Sequence, residues 1–244
     1  MLILGIESSA GPCGAALVRN GKCIADFRLN NQKTHSQTLL PMIDGMFRQS
    51  GCGREELTAI AVSAGPGSYT GLRIGSATAK GIGLALGIPV IPVPTLESLA
   101  FGAGSAGTVV CPLMDARRRE VFTALYRTGT TADGRPQELE APKCVPMAER
   151  LRELADTSET ILFCGDGADL YEQEIRGASP RFAVVPAHIR EADAGAAAVL
   201  GEILYGEGIY ESADLHVPRY LKKSQAERVR EGKMTGNAGE QPKK

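Results

Sequence analysis

A glycine-rich stretch over residues 64–87 constrains the fold of this chain more than any other segment. It opens with a Gly-Pro-Gly turn and continues with a helical pattern, for which Ser68 or Thr70 is the N-cap and Gly87 the end. This predicted helix contains four interior glycines, each of which costs about 1 kcal/mol relative to alanine. Because proteins are stable by only about 5–15 kcal/mol, we expect a compensating close contact along the helix.

Small residues recur at every fourth position of this helix and therefore lie on one ridge: Gly71, Gly75, Ala79 and Gly83. Such a ridge lets another helix, a phosphate or a sheet come very close. A second helix is predicted over residues 38–49, which carry apolar side chains at helical spacing. Two interpretations stay open and are compatible, because a helix has more than one face. The ridge packs against the protein's own sheet, or the two helices form a docking surface.

The composition is that of an ordinary globular protein: 244 residues, 43% hydrophobic and 23% charged, which corresponds to one or two domains with a sizeable core. The net charge of −1 excludes a globally basic nucleic-acid binder, although not a local basic patch. Six cysteines occur without a Cys-x-x-Cys pair, which favours buried thiols in a reducing compartment. Since no apolar run reaches about 18 residues and the N-terminus lacks a signal-peptide pattern, we expect a cytoplasmic protein with no membrane segment.

The order of the predicted elements repeats once along the chain. Each half begins with an apolar strand that ends in an acid, Glu7 in the first half and Asp115 in the second. A polar turn and a further strand follow, and helices and strands then alternate. The pattern predicts two α/β lobes, over residues 1–103 and 104–221, with ligand space between them. Residues 222–244 have the composition of a disordered tail.

Standard catalytic motifs are excluded by their spacing. The glycine-rich stretch fits neither the P-loop nor the dinucleotide fingerprint, and its serine does not form a nucleophile elbow. A helical metal pair is excluded too, because the position four residues after His35 is Leu39, and the remaining histidines are His188 and His216. We therefore assign no catalytic residue and no metal ligand.

Polar residues next to the strand ends are the candidates for a nucleotide cleft. They are Glu7, Ser8, Ser9, Asp115, Gly165 and Asp166. In a two-lobed nucleotide-binding protein, acids at such positions hold a metal–water cluster or face a phosphate, and glycine amides bind anions. The alternative is at least as well supported: each acid hydrogen-bonds its own turn, and the glycines form a simple tight turn.

The strongest basic run before the tail is Arg117-Arg118-Arg119. Such a run can contact the phosphates of a nucleic acid. No aromatic residue is interleaved with it, which favours a solvated hairpin tip instead.

Six segments of the chain resemble the bacterial TsaB (YeaZ) family. The most specific is the glycine stretch 65–75, and the others lie in the family's order at residues 3–9, 35–41, 114–122, 165–167 and 218–228. The resemblance covers nearly all of the first 228 residues. It implies an α/β protein with the two-lobed actin/Hsp70/sugar-kinase-like (ASKHA) fold, whose mixed-sheet domain is duplicated.

The resemblance also implies a function. This family takes part in making N6-threonylcarbamoyladenosine (t6A) at position 37 of tRNAs that read codons starting with adenine. Catalysis there belongs to the paralogue TsaD, which has a metal-binding His-x-x-x-His, whereas TsaB is non-catalytic and docks onto TsaD. TsaE joins the assembly, and TsaC-type enzymes supply the threonylcarbamoyl-adenylate. Leu39 in place of a second histidine separates this chain from TsaD. A direct tRNA contact is not assigned.

The family's TsaD contact, and its alternative homodimer, use the two helices of the first lobe. Carried over to this chain, the implied interface residues are Leu39, Met42, Ile43, Met46, Gly71, Arg73, Gly75, Ala79 and Gly83. Many relatives have Asp where this chain has Glu7, so a standard phosphate site is in doubt. No cofactor is expected, apart from weak ATP or ADP binding in the cleft or at the TsaD boundary. Two alternatives are an ATP-hydrolysing enzyme that uses Glu7 and Asp115 and, less favoured, a glycoprotease-like metallopeptidase.

Overall fold

The first half of the chain builds a five-stranded mixed sheet. The computed structural model describes residues 1–31 and 33–222, so the predicted tail beyond residue 222 lies outside the described residues. The strands are β1 (Leu2–Glu7), β2 (Cys13–Arg19), β3 (Lys22–Leu29), β4 (Ala59–Gly65) and β5 (Val90–Pro94), in the order β3-β2-β1-β4-β5. β1, β2 and β3 are antiparallel, whereas β4 and β5 run parallel to β1.

The second half repeats this arrangement. Its strands are β6 (Val109–Asp115), β7 (Glu120–Arg127), β8 (Gln137–Pro146), β9 (Ile161–Cys164) and β10 (Phe182–Val184), in the order β10-β9-β6-β7-β8. Again the first three strands are antiparallel, and the last two run parallel to the first. The predicted duplication of a mixed-sheet domain is therefore confirmed.

Helices cover both faces of the first sheet. The helices are α1 (His35–Ser50), α2 (Tyr69–Leu86), α3 (Thr95–Ala103), α4 (Met147–Leu154), α5 (Asp166–Leu170), α6 (Glu172–Ala178) and α7 (Ala194–Gly206). Alternation along β1 directs Leu4 and Ile6 towards α1 and α2, whereas Ile3 packs with α7 on the opposite face. Among the described residues, no helix is long and apolar enough to span a membrane.

The chain returns to the first sheet at its C-terminal end. The sequence-based division placed residues 194–206 in the second lobe, whereas α7 packs on β1, β2 and β4. Its small residues explain this position, since a Cβ added to Gly201 would lie 2.4 Å from the Cβ of Ala61. The segment after α7 also pairs with β5 through Val90 and Glu211. The first lobe therefore contains residues from both ends of the described chain.

Candidate functional site

Most of the predicted interface residues lie inside the protein. Leu39, Met42, Ile43 and Met46 are buried in the core between α1 and the first sheet. The apolar stripe of an amphipathic helix faces its own sheet, which is the physical reason for the difference. Arg73 alone of the nine predicted residues is exposed. The buried side chains stabilise the first lobe, and their contact with a partner stays a prediction.

The glycine ridge of α2 also packs internally. A Cβ at Gly71 would lie 2.0 Å from the carbonyl oxygen of Ser8, and one at Gly75 would lie 2.3 Å from the Ser8 hydroxyl. A Cβ at Gly83 would lie 2.8 Å from the Cβ of Ala213. The Ser8 hydroxyl donates to the carbonyl of Gly71 at 2.9 Å. These glycines therefore seat α2 against the β1–β2 turn and the C-terminal segment, which matches the first of the two open interpretations.

An exposed apolar groove runs between α1 and α2 on their outer faces. Its volume is about 530 Å³. The apolar residues that line it are Leu40, Pro41, Ile43, Phe47, Leu57, Ile82 and Leu86. Two of these leucines are exposed, Leu40 by 58% and Leu86 by 38%. The sequence-based prediction placed a docking surface on these two helices, but of the residues lining the groove it named only Ile43; Leu40 and Leu86 lie outside the buried stripes of the two helices.

A second cavity, of about 720 Å³, lies between the turn after β1, the beginning of α2, the β6–β7 hairpin and α5. Three of the six predicted cleft residues line it: Ser9, Asp115 and Asp166. The other three, Glu7, Ser8 and Gly165, do not. The structure thus brings only part of the predicted set together.

Glu7 is sealed beneath the cavity. Its side chain is buried, and its carboxylate accepts hydrogen bonds from the Ser9 amide at 2.6 Å and from the hydroxyls of Ser9 and Ser63. Burial raises the pKa of Glu7, and these hydrogen bonds oppose the shift. The carboxylate is therefore satisfied within the protein, as the turn-bonding alternative expects.

Asp115 and Asp166 form the floor of the cavity. Asp115 accepts the Arg117 amide at 2.8 Å and pairs with its guanidinium at 3.1 Å. Asp166 accepts the Asp115 amide at 3.1 Å, and burial raises the pKa of Asp166. Gly165 has φ +92, and its amide donates to the Arg190 carbonyl at 2.6 Å, so it forms a tight turn.

These contacts occupy two of the backbone amides that the predicted cleft would offer to a phosphate. The amides of Ser9 and Gly165 already have partners within the protein. The cavity lining carries three carboxylates and three cations, Arg117, Arg118 and Lys222. We derive no chemical step through a nucleotide.

Aromatic side chains line the same cavity, which sequence reasoning missed. Tyr69 at the beginning of α2 and Tyr220 in the C-terminal segment both face it, together with Arg117 and Arg118. The two tyrosines are 151 positions apart in the chain, so only the fold brings them beside the arginine run. In the sequence, the position of Tyr69 within the glycine-rich stretch was the one feature that could have indicated this aromatic surface.

A buried relay links α2 to the C-terminal segment. The Nε2 of His216 lies 2.9 Å from the Ser76 hydroxyl, and its Nδ1 lies 2.6 Å from the Glu211 carboxylate. The order of groups resembles a nucleophile, base and acid, but Ser76 and His216 are buried and line neither the groove nor the cavity. The relay holds the segment in place.

Comparison with known proteins gives one consistent family. A family model described as TsaD, tRNA N6-adenosine threonylcarbamoyltransferase, matches residues 28–228. The tRNA threonylcarbamoyladenosine biosynthesis protein TsaB of Bacillus subtilis (strain 168) is 31% identical over 232 residues, which cover 93% of this chain and 96% of the relative.

Solved structures agree on the fold. YeaZ from Pseudomonas aeruginosa has a TM-score of 0.75 at 25% identity, over 90% of this chain and 99% of that one. The activator of 2-hydroxyisocaproyl-CoA dehydratase from Clostridium difficile, with bound ADPNP, has a TM-score of 0.52 at 10% identity, over 85% of this chain and 97% of that one. The latter likeness concerns the fold alone, and the predicted two-lobed ASKHA fold is confirmed. Because the TsaB of Bacillus subtilis is 31% identical over 93% of the chain, the chain belongs to the TsaB family.

Proposed function

We propose that this chain is the non-catalytic TsaB-type subunit of the system that adds the threonylcarbamoyl group to N6 of adenosine 37 in tRNAs reading ANN codons. In this proposal it acts by binding TsaD. The Bacillus subtilis relative is named for this biosynthesis. The TsaD family model spans residues 28–228, so a TsaD partner shares the fold and presents similar helices.

The observation that carries the proposal is the groove between α1 and α2. Its floor is apolar, whereas Asp44, Arg48 and Arg54 stand at its edge. Contiguous exposed apolar surface marks an interaction site, and an apolar centre with a charged rim is the usual anatomy of an interface. TsaD therefore docks on the outer faces of the two helices, not on their buried stripes.

The remaining partners follow from the same proposal. TsaE joins through the TsaD complex, and a TsaC-type enzyme supplies the threonylcarbamoyl-adenylate. When the chain is alone, a second copy covers the groove. We assign no cofactor, and weak ATP or ADP binding at the TsaD boundary is tested by titration calorimetry of the complex.

No observation favours the two enzymatic alternatives. Glu7, which nucleotide hydrolysis would use, is sealed by Ser9 and Ser63. Within residues 1–31 and 33–222, no group of three or more potential metal ligands comes together.

Introducing charges at the exposed leucines of the groove tests the docking. Leu40→Glu and Leu86→Glu place carboxylates on groove side chains that are 58% and 38% exposed, so the fold is kept. The matched control is Leu139→Glu, on the outer strand β8, where the side chain is 41% exposed. We expect the double groove variant to bind TsaD at least about tenfold more weakly in calorimetry, because a charge is desolvated at the interface. The control keeps its affinity. Equal TsaD affinity of all three proteins would overturn the docking surface.

A further inference from the structure

Two tyrosines form a fixed aromatic platform in the wall of the 720 Å³ cavity. The ring centroids of Tyr69 and Tyr220 lie 5.0 Å apart, with their planes tilted by 33°. The Arg73 guanidinium lies 4.1 Å from the centroid of Tyr69, and its Nε donates to the Tyr220 hydroxyl at 3.1 Å. The tyrosines nevertheless stay 41% and 42% exposed. A rigid stack with this much open surface is suited to further stacking.

The arginine run stands at the same cavity in an unusual backbone conformation. Arg117, Arg118 and Arg119 have φ values of 63°, 59° and 60°, which L-residues adopt only at a cost. Backbone hydrogen bonds hold the tip, from the Glu120 amide to the Arg117 carbonyl at 3.1 Å and from the Met147 amide to the Arg119 carbonyl at 2.9 Å. Strain of this kind, kept by its surroundings, is typical of functional positions.

The three arginines differ in whether their charges are paired within the protein. Arg117 pairs with Asp115, and Arg119 makes two hydrogen bonds to Glu174. Arg118 is exposed at the cavity and makes no hydrogen bond or ion pair within the part of the chain that the structure describes. Its positive charge is therefore available to a ligand.

The acidic side chains that line the cavity limit the kinds of ligand that can bind there. Asp115 is paired with Arg117, and Asp169 with Arg190 at 2.5 Å, while Asp166 accepts the Asp115 amide. Of the cations in the same lining, Arg117 is paired with Asp115 and Lys222 with Glu120. A free triphosphate would therefore bring several negative charges close to the three carboxylates, with Arg118 the only unpaired cation of the described lining. A nucleic-acid strand carries one charge per nucleotide and can place it beside Arg118 at the edge.

The geometry points to a single-stranded RNA segment as the ligand of this cavity. One base stacks on the Tyr69–Tyr220 pair, and an adjacent phosphate pairs with Arg118. Aromatic side chains combined with arginines are how proteins hold unpaired nucleotides, and the stacking tolerates any base. This inference rests on the proposed function in one respect, which is that tRNA is the RNA substrate of that system. It adds a contact between the RNA and this chain itself.

Fluorescence anisotropy of labelled tRNA with the full chain tests the inference. The variants are Arg118→Ala, Tyr220→Ala and the conservative Tyr220→Phe. The matched controls are Arg152→Ala, an exposed arginine on α4, and Tyr210→Ala, a tyrosine that is 49% exposed and stacked on Tyr205 at 4.8 Å outside the cavity. TsaD affinity of each variant is measured in parallel.

We expect Arg118→Ala and Tyr220→Ala to weaken tRNA binding about tenfold, whereas Tyr220→Phe and both controls stay within about twofold of the unsubstituted chain. The slope of log affinity against log salt should fall by about 0.7 for Arg118→Ala only, because one phosphate contact is lost. TsaD affinity should not change, which separates this inference from the docking proposal. If Tyr220→Ala does not fold, the tRNA affinity and salt slope of Arg118→Ala test the inference alone.

Three results would overturn the inference. The first is no measurable tRNA binding by the full chain. The second is unchanged affinity and salt slope in Arg118→Ala. The third is displacement of the tRNA by free AMP or ATP at equal concentration, which would identify a mononucleotide site instead.

Discussion

Replacing Gly71 by alanine tests whether close contact explains the glycines of α2. The added Cβ would lie 2.0 Å from the backbone oxygen of Ser8, about 1.4 Å short of ordinary contact at 3.4 Å. Neither the turn nor the helix can yield by a side-chain rotation, so α2 must move away from β1. That movement also breaks the hydrogen bond from the Ser8 hydroxyl to the Gly71 carbonyl.

The magnitude follows from these two effects. Overpacking a well-filled site costs about 1–3 kcal/mol, and a lost internal hydrogen bond costs about 1 kcal/mol. Gly71 is in the first turn of α2, where alanine gains little from helix propensity. We expect a loss of about 2–3 kcal/mol, which lowers Tm by about 4–12 °C for a protein of this length.

Gly81→Ala is the matched control. It adds the same methyl group to the same helix, but nothing lies within 4 Å of its Cβ. Helix propensity then acts alone, and we expect a gain of about 1 kcal/mol, or about 2–4 °C in Tm. Both variants are compared by calorimetric melting at several protein concentrations, so that self-association is separated from folding. A Tm for Gly71→Ala at or above that of Gly81→Ala would refute the close contact.

Three further predictions concern other sites. Arg118→Gly should raise Tm by about 2–4 °C, because glycine adopts positive φ without the cost of about 1 kcal/mol or more, while Arg118→Ala, which keeps the strain, should not. Partial burial and the charge of Asp193 raise the pKa of Asp26 to about 6. Because the unfolded chain then loses this proton at a lower pH than the folded one, the free energy of unfolding falls as pH rises from about 4 to 6. Asp26→Asn should therefore raise Tm at pH 7 more than at pH 4. His216→Ala leaves the buried hydroxyl of Ser76 without its partner, so we expect a loss of about 1–3 kcal/mol in urea unfolding, and an unchanged midpoint would contradict the relay.

Local and repeated patterns allowed much of the fold to be predicted. The duplicated strand pattern is found in both sheets. In the turn between β2 and β3, Asn20 and Gly21 have φ values of 50° and 74°, which an Asn-Gly pair adopts readily. The return of α7 to the first sheet could not be predicted, because local sequence does not specify which sheet a uniformly apolar, small-residue helix covers.

The candidate sites were predicted less well for a related reason. Periodicity identifies the apolar stripe of a helix but does not distinguish a stripe that faces the protein's own core from one that faces a partner. Met46 therefore appeared as an interface residue although it is fully buried. The pairing of Tyr69 with Tyr220 depends on the path of the C-terminal segment, which no motif encodes.

The two proposed surfaces share one helix, so the seating of α2 controls both. Tyr69 lies at its beginning in the cavity wall, and Leu86 lies at its end in the groove, about 26 Å away along the helix axis. The contact of Gly71 with Ser8 fixes the end that carries the tyrosine platform. A shift of the whole helix in Gly71→Ala should therefore weaken tRNA and TsaD binding together, whereas Arg118→Ala and Leu86→Glu each affect one. Loss of tRNA binding in Gly71→Ala with full TsaD affinity would show that the helix bends at its first turn instead of moving as a rigid unit.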